Sequence, residues 1–595
     1  MVRAYTTGPV RVRIGPPPTS PVAPPPSAAA VGEAQVAAVL AALDAGELES
    51  AAKLSEQALA SGLRHPAPFC VMAMVHEFNS RFEEAIPYLK RALALFPGDV
   101  SMMMALARCQ LGLEQPKDAL ATLEAALELA PSYANAHAYK GQVLWRLGWL
   151  AKADQSYARA LALDPDNLTA KMGLAALSSH YGEHQKARDQ AQAVLDVAPD
   201  DADAALIVAE ADIAQGAPAA AEARIRAVIA ARGPSPTLSS HLGDALGAQG
   251  RAQEAFDAYG HAGEALRQRH RAQYSQDDVL DAAEQTASFL ERLPAGAWPT
   301  SHPNRPAPPS VETHVFLLGF ARSGTSLLGL ALEGNEQVET LQEQEPLADA
   351  LHYFAGPDGL NRLLAATDAE LESFRTAYWR RARGAGATLE RRLFVDKQPM
   401  NTVNLPVIAR LFPGARILFA MRDPRDVVLS CFRQRFLMNR YTYHLLTAEG
   451  SARLYGAAMQ VADAVGKLAS LETLMVRHED LVDDFDREMS QVCGFLGLGW
   501  SDAMRSFSGR VRSRAVATPS ASQLSRGLNS DGVGRWRRYA RQLEPLAPYL
   551  QPWVERFGYD HALGRARLGL EPRDMRASGG VLDGLPNLLS IATKV

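Results

Sequence analysis

Eight residues near the middle of this sequence, Gly319-Phe-Ala-Arg-Ser-Gly-Thr-Ser326, have the composition of an anion cradle. An apolar run, Val315-Phe-Leu-Leu318, leads into them, and a second apolar stretch follows Ser326. A strand, a glycine-bracketed loop and a helix start together present backbone N–H groups and a positive helix end to a tetrahedral oxyanion. Donors are available from the backbone between Arg322 and Ser326 and from the Ser323, Thr325 and Ser326 hydroxyls. Taken alone, an ordinary glycine turn between strand and helix reads the same way.

A second constellation follows about a hundred residues later. The apolar run Arg416-Ile-Leu-Phe-Ala-Met421 ends in Arg422-Asp-Pro-Arg-Asp426, and Ser430 stands eight residues after Arg422. An arginine at a strand end and a hydroxyl on the next helix can converge on a phosphate. The competing reading is a salt-bridged helix start with Asp423 and Asp426 as cap acids. The first loop is P-loop-like, close to Gly-x4-Gly-Lys-[Ser/Thr], but Thr325 occupies the lysine position and Arg322 carries the cation instead. Magnesium-assisted γ-phosphoryl transfer loses its usual charge partner in such a loop.

The elements that must hold these groups alternate. Strands are expected at 315–318, 393–395, 416–421 and 473–476, with helices at 326–334, 401–412 and 426–436 between them. Parallel strands joined by crossover helices put ligand groups at the strands' C-terminal ends. Polar clusters stand at those ends: the glycine loop, Asp396-Lys397-Gln398-Pro399, Arg422 to Asp426, and Arg477-His-Glu-Asp480. His478 reads as local packing rather than as a base.

Ahead of this domain the sequence repeats. Pro97, Pro131, Pro165 and Pro199 are 34 residues apart, and Gly233-Pro234 continues the series. Alanine keeps one phase at Ala51, Ala85, Ala119, Ala153, Ala187, Ala221 and Ala255, with small residues twelve earlier at Ala107, Gly141, Ala175, Ala209 and Gly243. Small residues where paired helices approach, and a proline that ends the second helix, are the tetratricopeptide (TPR) pattern. About seven units span residues 32–270. Residues 275–293 read as one more amphipathic helix, a cap on the solenoid, within a segment 271–310 that ends in a proline-rich linker. The expected architecture is an all-α TPR solenoid followed by a P-loop-like α/β domain at 311–562, whose parallel sheet is flanked by helices. A proline-rich arm (1–31) and a tail (563–595) complete the chain.

The 595 residues are enough for two domains with full cores, and the net charge of −5 carries no global basic signature for nucleic acid. Four dispersed cysteines (Cys70, Cys109, Cys431, Cys493) fit neither a disulfide framework nor a zinc spacing, which points to a reducing, cytoplasmic setting. No apolar run approaches the ~18 residues of a membrane span, and the N-terminus has no apolar core of a secretory signal.

Arg322-Ser-Gly-Thr-Ser326, the Arg422 to Ser430 spacing, Phe394-Val-Asp-Lys-Gln-Pro-Met-Asn401, Val476-Arg-His-Glu-Asp-Leu-Val482 and Gly534-Arg-Trp-Arg-Arg-Tyr539 together resemble the sulfotransferase superfamily. The resemblance covers about residues 312–560. With the repeats in front, it is nearest to the branch of tyrosylprotein sulfotransferases and bacterial TPR–sulfotransferase fusions. It implies a 3′-phosphoadenosine 5′-phosphosulfate (PAPS) donor, no metal, and an acceptor hydroxyl on a protein or glycan, with a protein partner in the TPR groove. By the same resemblance, Arg322, Ser323, Gly324, Thr325 and Ser326 contact the 5′-phosphosulfate, and Arg422 and Ser430 the 3′-phosphate. Lys397 sits near the bridging oxygen, Arg535 closes over the donor, and Glu343 is the general base. Glu345 is a rival base within Gln342-Glu-Gln-Glu-Pro346. Ser520 and Ser522 compete for a further donor contact. The rival readings are a TPR scaffold with a degenerate nucleotide-binding domain and a P-loop small-molecule kinase.

Overall fold

The computed structural model describes residues 26–274, 279–294, 296–299, 308, 310–513 and 521–559. The expected N-terminal arm (but for its last residues), most of the linker, the C-terminal tail, Ser520 and the Ser522 side chain lie outside them.

From Pro26–Asp44 and Leu48–Ala60 to Pro236–Ala248 and Ala252–Tyr274, the chain forms seven consecutive helix pairs. Asp99, Asn167 and Asp201 start their helices by accepting from the N–H groups of Met102, Ala170 and Ala204. The in-phase alanines Ala85, Ala119, Ala153, Ala221 and Ala255 are fully buried. Glycine lets paired helices approach closely: a Cβ on Gly141 or Gly243 would lie 2.5 Å from the ring of Tyr157 or Tyr259 on the partner helix.

The α/β domain holds a parallel sheet of five strands: β1 (Thr313–Leu318), β2 (Val338–Gln342), β3 (Leu393–Lys397), β4 (Arg416–Met421) and β5 (Thr473–Arg477). Their order is β2-β3-β1-β4-β5. Both faces are covered, which explains the near-continuous apolar runs. Phe316, Leu318 and Phe394 join the larger core on one face. Val315, Leu317 and Val395 pack on the other against the helices Thr325–Leu332 and Phe485–Leu496.

Several elements differ from expectation. Strand β2 is additional; its polar Glu339 and Thr340 hide an edge strand. The helix expected at 401–412 opens as a 3₁₀ turn, Pro399–Asn404, before Leu405–Leu411. The helix expected at 426–436 is Pro424–Arg433, begun by a proline at its first turn and ended by extended Gln434. The helix Val279–Glu291, expected as the solenoid cap, belongs instead to the α/β core. Leu280, Ala283, Ala287 and Leu290 pack there beside the helix Ala448–Leu468, and Arg453 pairs with Glu284 at 3.0 Å. The solenoid's end is covered by the α/β domain itself. Phe256 and Phe432 rings lie 4.7 Å apart, and the Leu446 backbone comes so close to Gly263 that a Cβ there would clash.

Candidate active site

Because β1 lies between β3 and β4, the glycine loop emerges between Lys397 and Arg422. The loop is tightly built. Gly319 (φ 150°) leaves no room for a Cβ against the Ala420 carbonyl, 2.6 Å away. Thr402, which sequence reading overlooked, accepts from the Gly319 N–H at 3.1 Å and donates to its carbonyl at 2.5 Å. Gly324 (φ 100°) lies against His478, whose Nδ1 would be 2.7 Å from a Cβ. Among the described residues no side chain caps the helix Thr325–Leu332, which leaves the N–H groups of its first turn without a side-chain acceptor there. Ser323 turns its hydroxyl into the loop. Its hydroxyl and N–H both bond the Phe320 carbonyl, at 2.6 and 3.1 Å, and its oxygen accepts from the Phe320 N–H. The Ser323 hydroxyl therefore braces the loop from within.

Arg322 adopts left-handed backbone (φ 71°), an uncommon conformation outside glycine. Its Nε donates to Ser430 Oγ at 3.0 Å and its Nη2 to Gln523 at 3.4 Å. Its carbonyl accepts from Arg422 Nη1 at 3.1 Å. Arg422 also donates from Nη2 to the Gly532 carbonyl at 2.5 Å, and its buried Nε has no hydrogen-bond partner among the described residues. Burial, then the neighbouring Arg422, brings the Arg322 guanidinium down to about 10. The glycine loop and the end of β4 are thus one assembly joined through Arg322.

Of the two expected cap acids, Asp423 does cap its helix, accepting from Arg425 N–H at 3.0 Å. Asp426 is turned elsewhere: it accepts from the N–H groups of Gly534 (2.6 Å) and Trp536 (2.8 Å) and so fixes the turn bearing Arg535. Burial raises its carboxyl to about 6. Arg425 stacks 3.7 Å over the Trp536 ring. Arg322, Arg422, Ser430 and Arg535 line one open cleft of about 190 Å³, together with His478 and Gln523. Burial, then Arg422 and Arg322, brings the His478 imidazole down to about 3, so it is neutral at pH 7.

Lys397, at the end of β3, is completely buried, and its Nζ bonds Glu343 Oε1 at 2.5 Å. Burial lowers the Lys397 pKa, and the Glu343 charge opposes that shift. Glu343 also has left-handed backbone (φ 48°), while its N–H donates to the Lys397 carbonyl at 2.8 Å. A non-glycine residue held there stores strain that its surroundings must offset. Glu345 is exposed and makes no bond to Lys397. Among the described residues, no three His, Cys, Asp or Glu side chains are grouped to hold a metal ion.

Several arginines around one cleft, and a helix start beside it, give the site a chemistry that suits anionic groups. Residues 314–502 match the family model described as "Sulfotransferase family", and residues 79–143 and 134–167 match tetratricopeptide-repeat models. An uncharacterized Aquifex aeolicus protein is 24% identical over 45% of this chain and 34% of its own length, so the chain spans about a third of that relative. Protein-tyrosine sulfotransferase 2 of Gallus gallus is 23% identical over 41% of this chain and 69% of its own. Protein-tyrosine sulfotransferase 1 of Danio rerio is 23% identical over 41% and 72%. A tetratricopeptide-repeat protein from Parabacteroides merdae is 19% identical, covering 39% of this chain and 93% of its own, with a TM-score of 0.33. Residues 314–502 thus form a domain that matches the sulfotransferase family, behind helix pairs that match tetratricopeptide repeats.

Proposed function

We propose that this protein is a PAPS-dependent sulfotransferase acting on a hydroxyl of a macromolecular acceptor. The observation that carries the reading is Arg322, which touches Ser430 and Arg422 at once and so joins two anion sites across one cleft. PAPS, when bound, supplies the sulfuryl group. Its 3′-phosphate suits Arg422 and Ser430, and its 5′-phosphosulfate suits the N–H groups of Gly324, Thr325 and Ser326. Arg535 closes the same cleft.

Lys397 brings a positive charge to the side of the loop where charge builds on the leaving phosphate. Its burial makes that charge effective and unscreened by water. Glu343 takes the proton of the acceptor hydroxyl. Its Oε2 makes no bond to a described residue, which leaves it a free lone pair. The cations supply what magnesium supplies in kinases, so no metal is expected. The solenoid recruits the acceptor, a peptide or glycan, or an assembly partner. Four free, buried cysteines favour a reducing cytoplasm, and no described helix is long and apolar enough to cross a membrane.

The test is transfer of label from radioactive PAPS across a panel of tyrosine peptides and glycans, using the full chain. Transfer that also requires the first helix pairs identifies the repeats as recruiting. A chain that binds neither PAPS nor adenosine 3′,5′-bisphosphate is a scaffold, and magnesium-dependent ATP turnover makes it a kinase.

A further inference from the structure

The helix that carries Ser430 ends one turn later at Arg433. Arg433 does not pair within its own domain. Its Nε donates to Tyr259 at 3.1 Å and its Nη2 to Asp244 at 2.9 Å, both in the last helix pair of the solenoid. Tyr259 also donates to the same Asp244 oxygen at 2.8 Å. Two residues further on, Arg435 lies 3.5 Å from Asp244 and donates to Ser240 at 3.1 Å. Behind it stands Glu210, held by His241 at 2.8 Å and Ser179 at 2.7 Å.

Asp244, Arg433 and Arg435 line the cleft that contains Arg322, Arg422 and Arg535. Five guanidinium groups therefore face two carboxylates there, and Asp426 is committed to the Gly534 and Trp536 N–H groups. Like charges at this density repel unless an acid fixes them. Burial works against the Asp244 charge, yet Arg433 and Arg435 bring its carboxyl down to about 2. The ionised acid comes from a segment 189 residues away in sequence.

We infer that the solenoid is a built-in part of the donor site: Asp244 is a positioning residue that presents Arg433, and Arg433 is a further contact for the 3′-phosphate beside Ser430 and Arg422. Arg433 Nη1 makes no bond to a described residue, which leaves a donor for that phosphate. Residues i and i+3 of a helix share a face, so Ser430 and Arg433 reach the same ligand group. The inference rests on the two-phosphate reading above, and it makes the repeats more than an acceptor-recruiting arm.

Calorimetric titration of the full chain with adenosine 3′,5′-bisphosphate and with adenosine 5′-monophosphate tests it. The wild type prefers the bisphosphate, and Asp244→Asn and Arg433→Gln each shrink that preference by about tenfold, a loss typical of one charge-assisted contact. A loosened interface alone would weaken both ligands equally. The double variant Asp244→Asn/Arg433→Gln loses no more than Arg433→Gln, because the two act as one unit. A wild type with no preference for the bisphosphate overturns the two-phosphate reading and the inference with it. A wild-type preference that both variants retain overturns the inference alone, and thermal unfolding verifies that each variant is folded.

Discussion

Lys397 Nζ lies 2.5 Å from Glu343 Oε1, a fully buried ammonium against a carboxylate whose side chain is 41% exposed. The pair joins the end of β3 to the first residue past β2, the edge strand. One member faces the sheet interior and the other faces solvent, so the exposed one is the group an acceptor can reach. Glu343→Gln keeps the shape and removes the base. Its transfer rate from PAPS should fall by about 10²–10⁴-fold, with adenosine 3′,5′-bisphosphate affinity unchanged in a calorimeter. Glu345→Gln should keep the wild-type rate. Full activity in both variants would remove Glu343 from the mechanism.

Gly324 should tolerate no side chain. Its positive φ and its closeness to His478 act independently, so Gly324→Ala combines about 1 kcal/mol or more of backbone strain with a clash. Bisphosphate binding should weaken by at least tenfold in the variant. Adding His478→Ala should recover part of the loss by relieving the clash, and no more than part.

Arg322→Lys should uncouple the two anion sites. A lysine cannot span Ser430 and Gln523 with a planar fork. Calorimetry should find weaker binding of both adenosine 3′,5′-bisphosphate and adenosine 5′-monophosphate, while the thermal midpoint moves little. Retained affinity for either ligand would count against Arg322 as the bridge.

Asp396, next to Lys397, gives a prediction about pH. Burial raises its carboxyl from 3.8 to about 7, and the hydrogen bond from Tyr378 only partly opposes this. The folded chain thus keeps a proton that the unfolded chain has released. This contribution to stability is complete below about pH 4 and is lost as pH rises through about 7. Buried His478, held neutral, contributes the opposite slope in both proteins, so the reading is the difference between them. Urea midpoints measured from pH 5 to pH 8 should shift against the wild type relative to Asp396→Asn as pH rises to about 7, and a difference that does not change with pH would place the titration elsewhere.

Much of this was legible in the residues, for reasons that differ by element. The 34-residue period announced the solenoid because helix contacts must repeat for helix pairs to stack. Strands β1 and β4 could be read because central parallel strands are apolar on both faces, whereas β2, with Glu339 and Thr340, lacked that signal. The glycine loop and the Arg422 to Ser430 spacing are local, so sequence spacing captured them. Thr402 and Asp426 were missed as site-builders because their roles lie in bonds to backbone far along the chain, 83 and 108 residues distant. A single arginine one turn after Ser430 was visible, but nothing in its neighbourhood pointed to Asp244. Ser323 was read outward because a hydroxyl in a glycine loop has two uses, and only the fold chooses between them.

The Phe256–Phe432 contact has a consequence for how the chain is born. A ribosome makes proteins from the N-terminus, and domains emerge in that order. The last helix pair is finished at Tyr274, well before Phe432 and Leu446 exist to cover it. Through that interval, Phe256 and Tyr259 stand as an apolar end face on a nascent protein. The first six pairs can settle as they appear, each against its predecessor. The seventh waits for the α/β domain, so its end face is completed only after the chain has grown by more than 150 further residues.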